Sequence, residues 1–247
     1  MMIIISGGEP TVWRGFNKLT NYLYNKNWSM HINTNAVRSL SWWKTNNVLW
    51  DYLGLSLHSE FVNIDSFIEK CEYLQDKTNL LCIRVMLHPD ELLFDKSIEY
   101  AVKIKKAVPK AVIQWIPISY NFGGVDIKLP DYTESQNTMI KLLLMEKRKH
   151  LNHNHKLITW SDGITEVVNG NHLIATNLHN FKDWLCYAGL DGIFIDSRGY
   201  INRATCLEGK SIGHVLDNDI FLYDEPIICK KTSCTCVTDV LYSKKKL

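Results

Sequence analysis

Two groups of residues in this 247-residue chain have types and spacing suited to chemistry, a glycine-rich loop near the start and a set of cysteines near the end. The loop, residues 6–10, reads Ser-Gly-Gly-Glu-Pro and follows an apolar run. Adjacent glycines, Gly7 and Gly8, let backbone N–H and C=O groups come close to a small molecule, and the carboxylate of Glu9 suits an ammonium group. The same residues, ending in Pro10, also suit an ordinary turn between a strand and a helix, so both interpretations stay open.

The cysteines are unevenly distributed, because five of the seven lie in the last quarter of the chain. In a chain without a secretion signal, clustered thiols favour metal or iron–sulfur ligands over disulfides. Four thiolates satisfy a tetrahedral zinc ion as well as an iron–sulfur cluster, which leaves one of the five to spare. The candidate metal ligands are Cys186, Cys206, Cys229, Cys234 and Cys236. The other two, Cys71 and Cys82, lie among apolar residues and are predicted to be core thiols.

The elements that must position these groups follow a repeating pattern over residues 1–119. Short β-rich runs are predicted as strands at 2–5, 29–33, 52–57, 80–87 and 111–116. Amphipathic stretches between them are predicted as helices at 11–25, 37–44, 64–75 and 95–108. Strands separated by crossover helices imply a parallel sheet with right-handed connections, so the predicted fold class is α/β.

Polar residues recur at the predicted strands, chiefly where the strands end, which is the edge at which open parallel sheets bind their ligands. Each has a plain structural interpretation as well, as a strand-end cap, a loop histidine or a surface ion-pair partner. In strand order, the candidate binding residues are Thr34, Asn35, Ser56, His58, Arg84 and Gln114.

Beyond residue 119 the repeating pattern stops. Residues 120–155 are predicted as a connector with a helix at 134–150, a glycine-rich loop at 120–131 long enough to act as a lid, and solvated histidines at 150, 153 and 155. Residues 156–247 are predicted as a small β-rich, cysteine-bearing appendage with hairpins at 156–168 and 192–204. The three lysines within 243–247 are predicted to form a frayed, solvated tail.

Composition limits the partners. Lys and Arg number 28 against 26 Asp and Glu, a formal charge of +2, so the chain lacks the basic excess that nucleic-acid backbones select. The sequence contains no apolar run of the roughly 18 residues that a membrane-spanning helix needs, and the start lacks the basic flank of a signal peptide. A soluble, cytoplasmic protein without nucleic-acid or membrane partners is therefore expected.

The glycine-rich loop and the next two strand ends together resemble the radical S-adenosylmethionine (SAM) enzymes. The resemblance is carried by the segments 5–10, 32–35 and 55–58, and it implies a partial (βα)6 barrel read from its second strand onward. It implies that Gly7, Gly8 and Glu9, in the loop closed by Pro10, bind the amino group of the methionyl end of SAM. The implied neighbours are Thr34 and Asn35 beside the loop, Ser56 and His58 near the ribose and sulfonium, Arg84 near the carboxylate or ribose, and residues 114–116 beside the adenine. Ala36 stands where the family has a glycine.

The cysteine-rich end is similar to the SPASM and twitch extensions of that family, which bind auxiliary iron–sulfur clusters. A hairpin at 193–201 brings Cys186 and Cys206 close together, and the segment 229–236 supplies further thiols. The resemblance implies one auxiliary [4Fe–4S] cluster, more like a twitch than a full SPASM domain.

The implied activity is reductive cleavage of SAM to a 5′-deoxyadenosyl radical, which abstracts hydrogen from a peptide or small-molecule substrate. The electron would come from a reductant such as a flavodoxin or ferredoxin. The family holds its catalytic cluster with a C-x3-C-x2-C motif upstream of the glycine-rich loop, and no two of the seven cysteines are spaced C-x3-C.

Three explanations of that missing motif stay open: a truncated or wrongly started reading frame, a split protein whose first strand lies on another chain, and an inactive descendant. The 247 residues alone are expected to show no turnover. The alternative function is a non-catalytic α/β protein with a structural four-cysteine zinc or iron–sulfur site.

Overall fold

The computed structural model describes residues 1–118, 130–145, 155–160, 162–175 and 177–247. The chain divides into two compact units. The described part of the first unit is 1–118 with 130–145, and that of the second unit is 155–160, 162–175 and 177–247. The loop predicted as a lid lies almost entirely outside the described residues, as do His150, His153 and the side chain of His155.

The first unit is built on one parallel sheet of five strands. They are β1 (Met2–Ile5), β2 (Ser29–Thr34), β3 (Tyr52–Leu57), β4 (Leu81–Leu87) and β5 (Val112–Pro117), and they lie side by side in chain order. The connecting helices are α1 (Phe16–Asn25), α2 (Leu40–Lys44), α3 (Ile64–Leu74) and α4 (Glu91–Ala107), and α5 (Glu134–Met145) follows the sheet. The α/β class and the parallel sheet predicted from the sequence are confirmed.

Because the strands lie in the sheet in chain order, the crossover helices all lie on one face of the sheet. Each right-handed crossover leads to the adjacent strand, so every connecting helix packs on the same face of the sheet. One core accordingly joins strand residues such as Ile32 and Leu55 to helix residues such as Phe16, Phe67 and Ile104. This winding is compatible with a partial parallel βα fold and differs from that of a sheet with helices on both faces.

Local sequence explains where most helices begin. Ser39, Asn63 and Asp90 each accept a hydrogen bond from a backbone N–H in the first turn of α2, α3 and α4. Helix α5 begins with a reciprocal pair, in which Thr133 N–H donates to Gln136 and Gln136 N–H donates to Thr133.

The prediction of the first helix, at 11–25, is wrong in its first turn. Pro10–Val12 form a short 3-10 helix, and α1 begins only at Phe16. Val12 fits the apolar spacing of the helix predicted at 11–25 and would lie on its buried face, but its side chain is 54% exposed. The core-thiol prediction is confirmed, since Cys71 and Cys82 are both buried.

The second unit consists of short strands in three small sheets. They are β6 (His155–Thr159) with β7 (Thr165–Asn169); β9 (Phe194–Ile195), β10 (Tyr200–Asn202) and β11 (Gly213–His214); and β8 (Leu185–Cys186) between β12 (Ile227–Ile228) and β13 (Lys244–Lys245). Helix α6 (Gly170–Ala175) follows β7. Both predicted hairpins are present as the antiparallel pairs β6–β7 and β9–β10.

Two of the three C-terminal lysines lie in a strand, so the prediction of a frayed tail is wrong for them. Lys244 and Lys245 form β13, which pairs with β8 opposite Cys186 and Leu185. Among the described residues of the second unit, one small apolar cluster has as its buried members Val168, Leu173, Val240 and Leu241. No helix in the described ranges is both long and apolar enough to cross a membrane.

Candidate functional site

The loop after β1 presents open backbone. Gly7 and Gly8 have φ angles of +91° and +51°, and no atom lies within 4 Å of the position that a Cβ would take on either residue. Left-handed backbone favours glycine, and the missing side chains leave the peptide groups accessible from the carboxyl edge of the sheet. The two residues therefore have the geometry that close approach of a ligand to backbone requires.

The carboxylate of Glu9 is occupied by the protein itself. Its Oε1 accepts hydrogen bonds from the N–H of Thr11 at 3.0 Å, the hydroxyl of Thr11 at 2.5 Å and the hydroxyl of Thr34 at 2.6 Å. Its Oε2 accepts from the N–H of Asn35 at 2.7 Å. Since a carboxylate offers about four lone-pair positions, Glu9 already holds the loop after β1 against the end of β2.

The end of β2 is shaped to meet that carboxylate. The Thr34 hydroxyl also accepts from the N–H of Ala36 at 3.1 Å, which turns the chain after the strand. Ala36 is buried and has a φ of +53°, the left-handed region in which a glycine is favoured. The structure thus explains why a glycine suits this position, and it brings the predicted residues Thr34 and Asn35 against Glu9.

Arg38 and Lys70 hold the chain segments that follow β1 and β2. The guanidinium of Arg38 donates to the carbonyls of Thr11 and Val12 at 2.9 and 3.1 Å, and Lys70 donates to the carbonyl of Ala36 at 2.7 Å. The strand ends at β1 and β2 are therefore held in one arrangement without a ligand, as a binding edge requires.

Ser56, Arg84 and Gln114 form one row across the sheet face opposite the helices. They are register partners on β3, β4 and β5. Ser56 and Arg84 are half-buried, and Arg84 forms no ion pair within the described residues. Gln114 is buried and accepts a hydrogen bond from the thiol of Cys82 at 3.5 Å. The predicted polar row is thus brought together on one face.

His58 follows β3, and its carbonyl accepts from the N–H groups of Phe61 and Val62. The structure adds a pair that the sequence analysis missed at the same edge. Nε2 of His88, after β4, lies 3.9 Å from Oε1 of Glu60, after β3. His88 and Glu60 could have been predicted by selecting every polar residue in the first few positions after a strand.

In the second unit, four of the five candidate cysteines line one cavity, here called the thiol cavity. Its sulfur-bearing residues are Cys186, Cys206, Cys229 and Cys234. Cys186 lies on β8, Cys206 follows β10, Cys229 follows β12, and Cys234 lies between that strand and the 3-10 helix Asp239–Leu241. Residues distant in sequence thus meet because β12 and β13 flank β8.

Cys236 does not line the thiol cavity. Its sulfur accepts hydrogen bonds from the backbone N–H groups of Thr238 and Asp239, at the start of the 3-10 helix. The thiol of Cys229 donates to the carbonyl of Lys231 at 3.7 Å, whereas Cys206 accepts a hydrogen bond from the backbone of Glu208. Such N–H···S bonds stabilise thiolates, as the ligands of a cluster require.

Burial opposes the ionisation of four of the five C-terminal thiols. Burial raises the pKa of Cys234 to about 12, and burial also raises the pKa values of Cys206, Cys229 and Cys236. Neighbouring thiols raise several of these pKa values further, because each thiolate repels the next. Four ionised thiolates would therefore require a cationic group among them.

The spacing of the thiols bears on which group fits. Within the described residues, no three Cys, His, Asp or Glu side chains converge as ligands of a single metal ion. A zinc ion requires its sulfurs about 2.3 Å from one centre. A four-iron cluster binds each thiolate to a separate iron atom, so its cysteine ligands lie farther apart around a shared cavity. The four cysteines line one shared cavity, the general arrangement that a cluster would need.

Charged residues complete the thiol cavity, and the sequence analysis had not selected them. They are Arg203, Glu208, Lys231, Asp239 and Lys244. Asp239 is buried and accepts from the N–H of Thr205 at 2.8 Å. Their clustering depends on pairings between distant strands, and no local sequence pattern indicated it.

The two groups of candidate residues belong to different units. The glycine-rich loop and the polar row lie in the first unit, and the thiol cavity lies in the second. Comparison with known proteins gave no matching family model, no matching curated protein and no matching solved structure.

Proposed function

We propose that this chain carries the SAM-binding and auxiliary-cluster regions of a radical SAM enzyme of the SPASM or twitch type. The observation that carries the proposal is the thiol cavity, in which Cys186, Cys206, Cys229 and Cys234 meet. The proposal is further supported by a singly wound parallel sheet with an open glycine pair at its carboxyl edge.

In the first unit, the open backbone at Gly7 and Gly8 would receive the amino group of SAM. Glu9 would act as a positioning residue, because its oxygens hold Thr11, Thr34 and Asn35. Arg84 is free of ion pairs within the described residues and would contact the carboxylate or ribose, with Ser56 beside it.

Bound SAM would supply a 5′-deoxyadenosyl radical once a catalytic [4Fe–4S] cluster delivers an electron. The three ligands of that cluster have no counterpart with C-x3-C spacing among the seven cysteines, so turnover requires ligands from outside these 247 residues. The substrate would be a peptide or small molecule, and the reductant a flavodoxin or ferredoxin.

In the second unit, Cys186, Cys206, Cys229 and Cys234 would hold the auxiliary [4Fe–4S] cluster. Cys236 would stay outside the ligand set as the spare fifth thiol. The alternative is a structural zinc ion in a non-catalytic protein, which would hold four sulfurs about 2.3 Å from one centre.

The test is anaerobic reconstitution with iron and sulfide, followed by metal counting and EPR of the reduced protein with and without SAM. We expect about four irons per chain and no spectral change on adding SAM, because the auxiliary cluster has no open iron. Cys206→Ser should lower iron content, whereas Cys71→Ser, a matched change at a buried thiol outside the cavity, should not. Bound zinc with no cluster signal would overturn the cluster assignment.

Binding of SAM is tested separately by equilibrium dialysis with radiolabelled SAM. Gly8→Val should abolish the binding seen with the wild-type chain, because the side chain would enter the open space beside the loop at a φ of +51°. Equal retention of SAM by this variant and the wild type would contradict the assignment of the glycine pair.

A further inference from the structure

Two of the three cations that line the thiol cavity are anchored by backbone carbonyls. Lys231 differs, since its Nζ lies 3.9 Å from the carboxylate of Glu208. Neither Arg203 nor Lys244 forms an ion pair with a carboxylate within the described ranges, and both are half-buried. Two half-buried cations beside four thiols and without a carboxylate partner call for an anionic neighbour.

All three protons of the Lys244 ammonium are directed to carbonyl oxygens. Nζ donates to Asp239 at 2.9 Å, Val240 at 3.1 Å and Tyr242 at 3.0 Å, at the end of the 3-10 helix Asp239–Leu241. It also lies 4.7 Å from the centre of the Phe181 ring. In the β8–β13 pairing Lys244 stands directly opposite Cys186. The charge is thus fixed beside the thiols.

Arg203 is held in the same manner. Its Nη1 donates to the carbonyls of Ala188 and Glu225 at 3.0 and 2.8 Å. Its guanidinium lies 3.8 Å from the centre of the Tyr223 ring, which covers one face of the charge. Carbonyl bonds and an aromatic face satisfy the protons and hold the orientation, but they do not neutralise the charge.

The charge of the cavity lining has a definite sign. Arg203, Lys231 and Lys244 against Glu208 and Asp239 give three positive charges minus two negative, or +1, before any thiol ionises. Four thiolates bound to a cluster carry net negative charge even after the iron charges are counted. The positive lining therefore complements the negative charge of a thiolate-bound cluster.

We propose that Arg203 and Lys244 are the fixed counter-charges of the thiol cavity, which strengthen cluster retention and raise its reduction potential. This inference rests on the proposed auxiliary cluster. An added electron increases the negative charge of a cluster, and nearby cations stabilise the reduced form more than the oxidised form. Both residues act through the thiolates as positioning residues and bind no iron themselves.

The experiment compares reconstituted wild type with Lys244→Met, Arg203→Met and Lys244→Arg. The matched control is Lys245→Met, at the exposed neighbour of Lys244 on β13. Cluster retention is measured as the competing chelator concentration that removes half of the iron, and the midpoint potential by EPR-monitored titration. Both methionine variants should lose iron at roughly 10- to 100-fold lower chelator concentration, the usual effect of removing a partner of metal ligands.

The midpoint potential of the cluster distinguishes an electrostatic role of the two residues from a merely structural one. Lys244→Met and Arg203→Met should give a more negative midpoint potential, whereas Lys244→Arg and Lys245→Met should keep the wild-type value. Iron loss without a change in the potential of the remaining cluster would show a merely structural role and overturn the inference. Methionine variants equal to Lys245→Met in both measurements would overturn it and leave the proposed cluster standing, while a wild type that takes up no iron overturns the proposed function itself.

Discussion

At the scale of single residues, Glu9 shows how a motif residue can act through geometry. Its carboxylate accepts four hydrogen bonds from Thr11, Thr34 and Asn35 and so joins the ends of β1 and β2. Three of these bonds go to Oε1 and one to Oε2, so only Oε2 keeps a lone-pair position for an ammonium group. The expected contribution of Glu9 to ligand binding is therefore the placement of the glycine pair beside it.

We expect Glu9→Gln to destabilise the first unit by about 1.5–3 kcal/mol, the usual value of a hydrogen bond to a charged group. The new amide NH2 would face the N–H of Asn35 or the donors from Thr11 and Thr34, so one position pairs donor with donor. Urea unfolding followed by circular dichroism measures the loss. Glu69→Gln, at an exposed carboxylate on α3, is the control and should change stability little. Equal stability of the two variants would contradict the joining role.

At the scale of elements, β3 depends on a glycine in its centre. A Cβ on Gly54 would collide with the side-chain oxygen of Asn33 and would lie 2.9 Å from the ring of Tyr52. Both side chains share the sheet face that carries Ser56 and Arg84. Gly54 therefore allows side chains from two strands to cover the middle of that face.

Gly54→Ala should cost about 1–3 kcal/mol, the usual penalty of overpacking, because the buried Tyr52 has little room to move. The thermal unfolding temperature measures the effect. Ser56→Ala, on the same strand and face but half-exposed, should leave that temperature nearly unchanged. A Gly54→Ala protein as stable as the wild type would show that Asn33 and Tyr52 can move aside.

The elements also show what a sequence can and cannot predict. The strands of the first unit were predicted because each is a short apolar run closed by glycine, proline or polar residues, and β3 agrees at both ends. The start of α1 was missed because Val12 continues the spacing of a helical stripe, while Pro10 and the Glu9 cap favour a separate 3-10 turn. That choice depends on Thr34, a residue on another strand.

The second unit shows more clearly that local sequence does not predict contacts made by distant residues. The cysteines were found by count, since thiols concentrated in one segment are visible without a structure. Lys244 was missed because three consecutive lysines near a terminus are typical of solvated chain. Its ordering comes from β8 and from the carbonyls of Asp239, Val240 and Tyr242. Partners of that kind follow from tertiary pairing and not from local pattern.

At the scale of the whole molecule, the two units differ in how much core supports them. The first unit buries a large cluster that spans its sheet and helices, whereas the largest buried apolar cluster among the described residues of the second unit has only four members, Val168, Leu173, Val240 and Leu241. A small β-rich unit with so little buried apolar surface needs additional support, commonly a disulfide or a metal. The structure contains free cysteines at that place, so the bound group is expected to supply the stability.

Removal of the proposed cluster by a chelator should therefore open the second unit selectively. We expect amide hydrogen exchange around β8, β12 and β13 to accelerate at least about tenfold, which corresponds to about 1.4 kcal/mol of lost protection. Peptides from residues 1–118 are the internal control, because the core of the first unit holds none of the candidate ligands. Exchange that stays unchanged in the second unit would mean that its short strands are stable without metal. The thiol cavity would then have no stabilising role, whatever it binds.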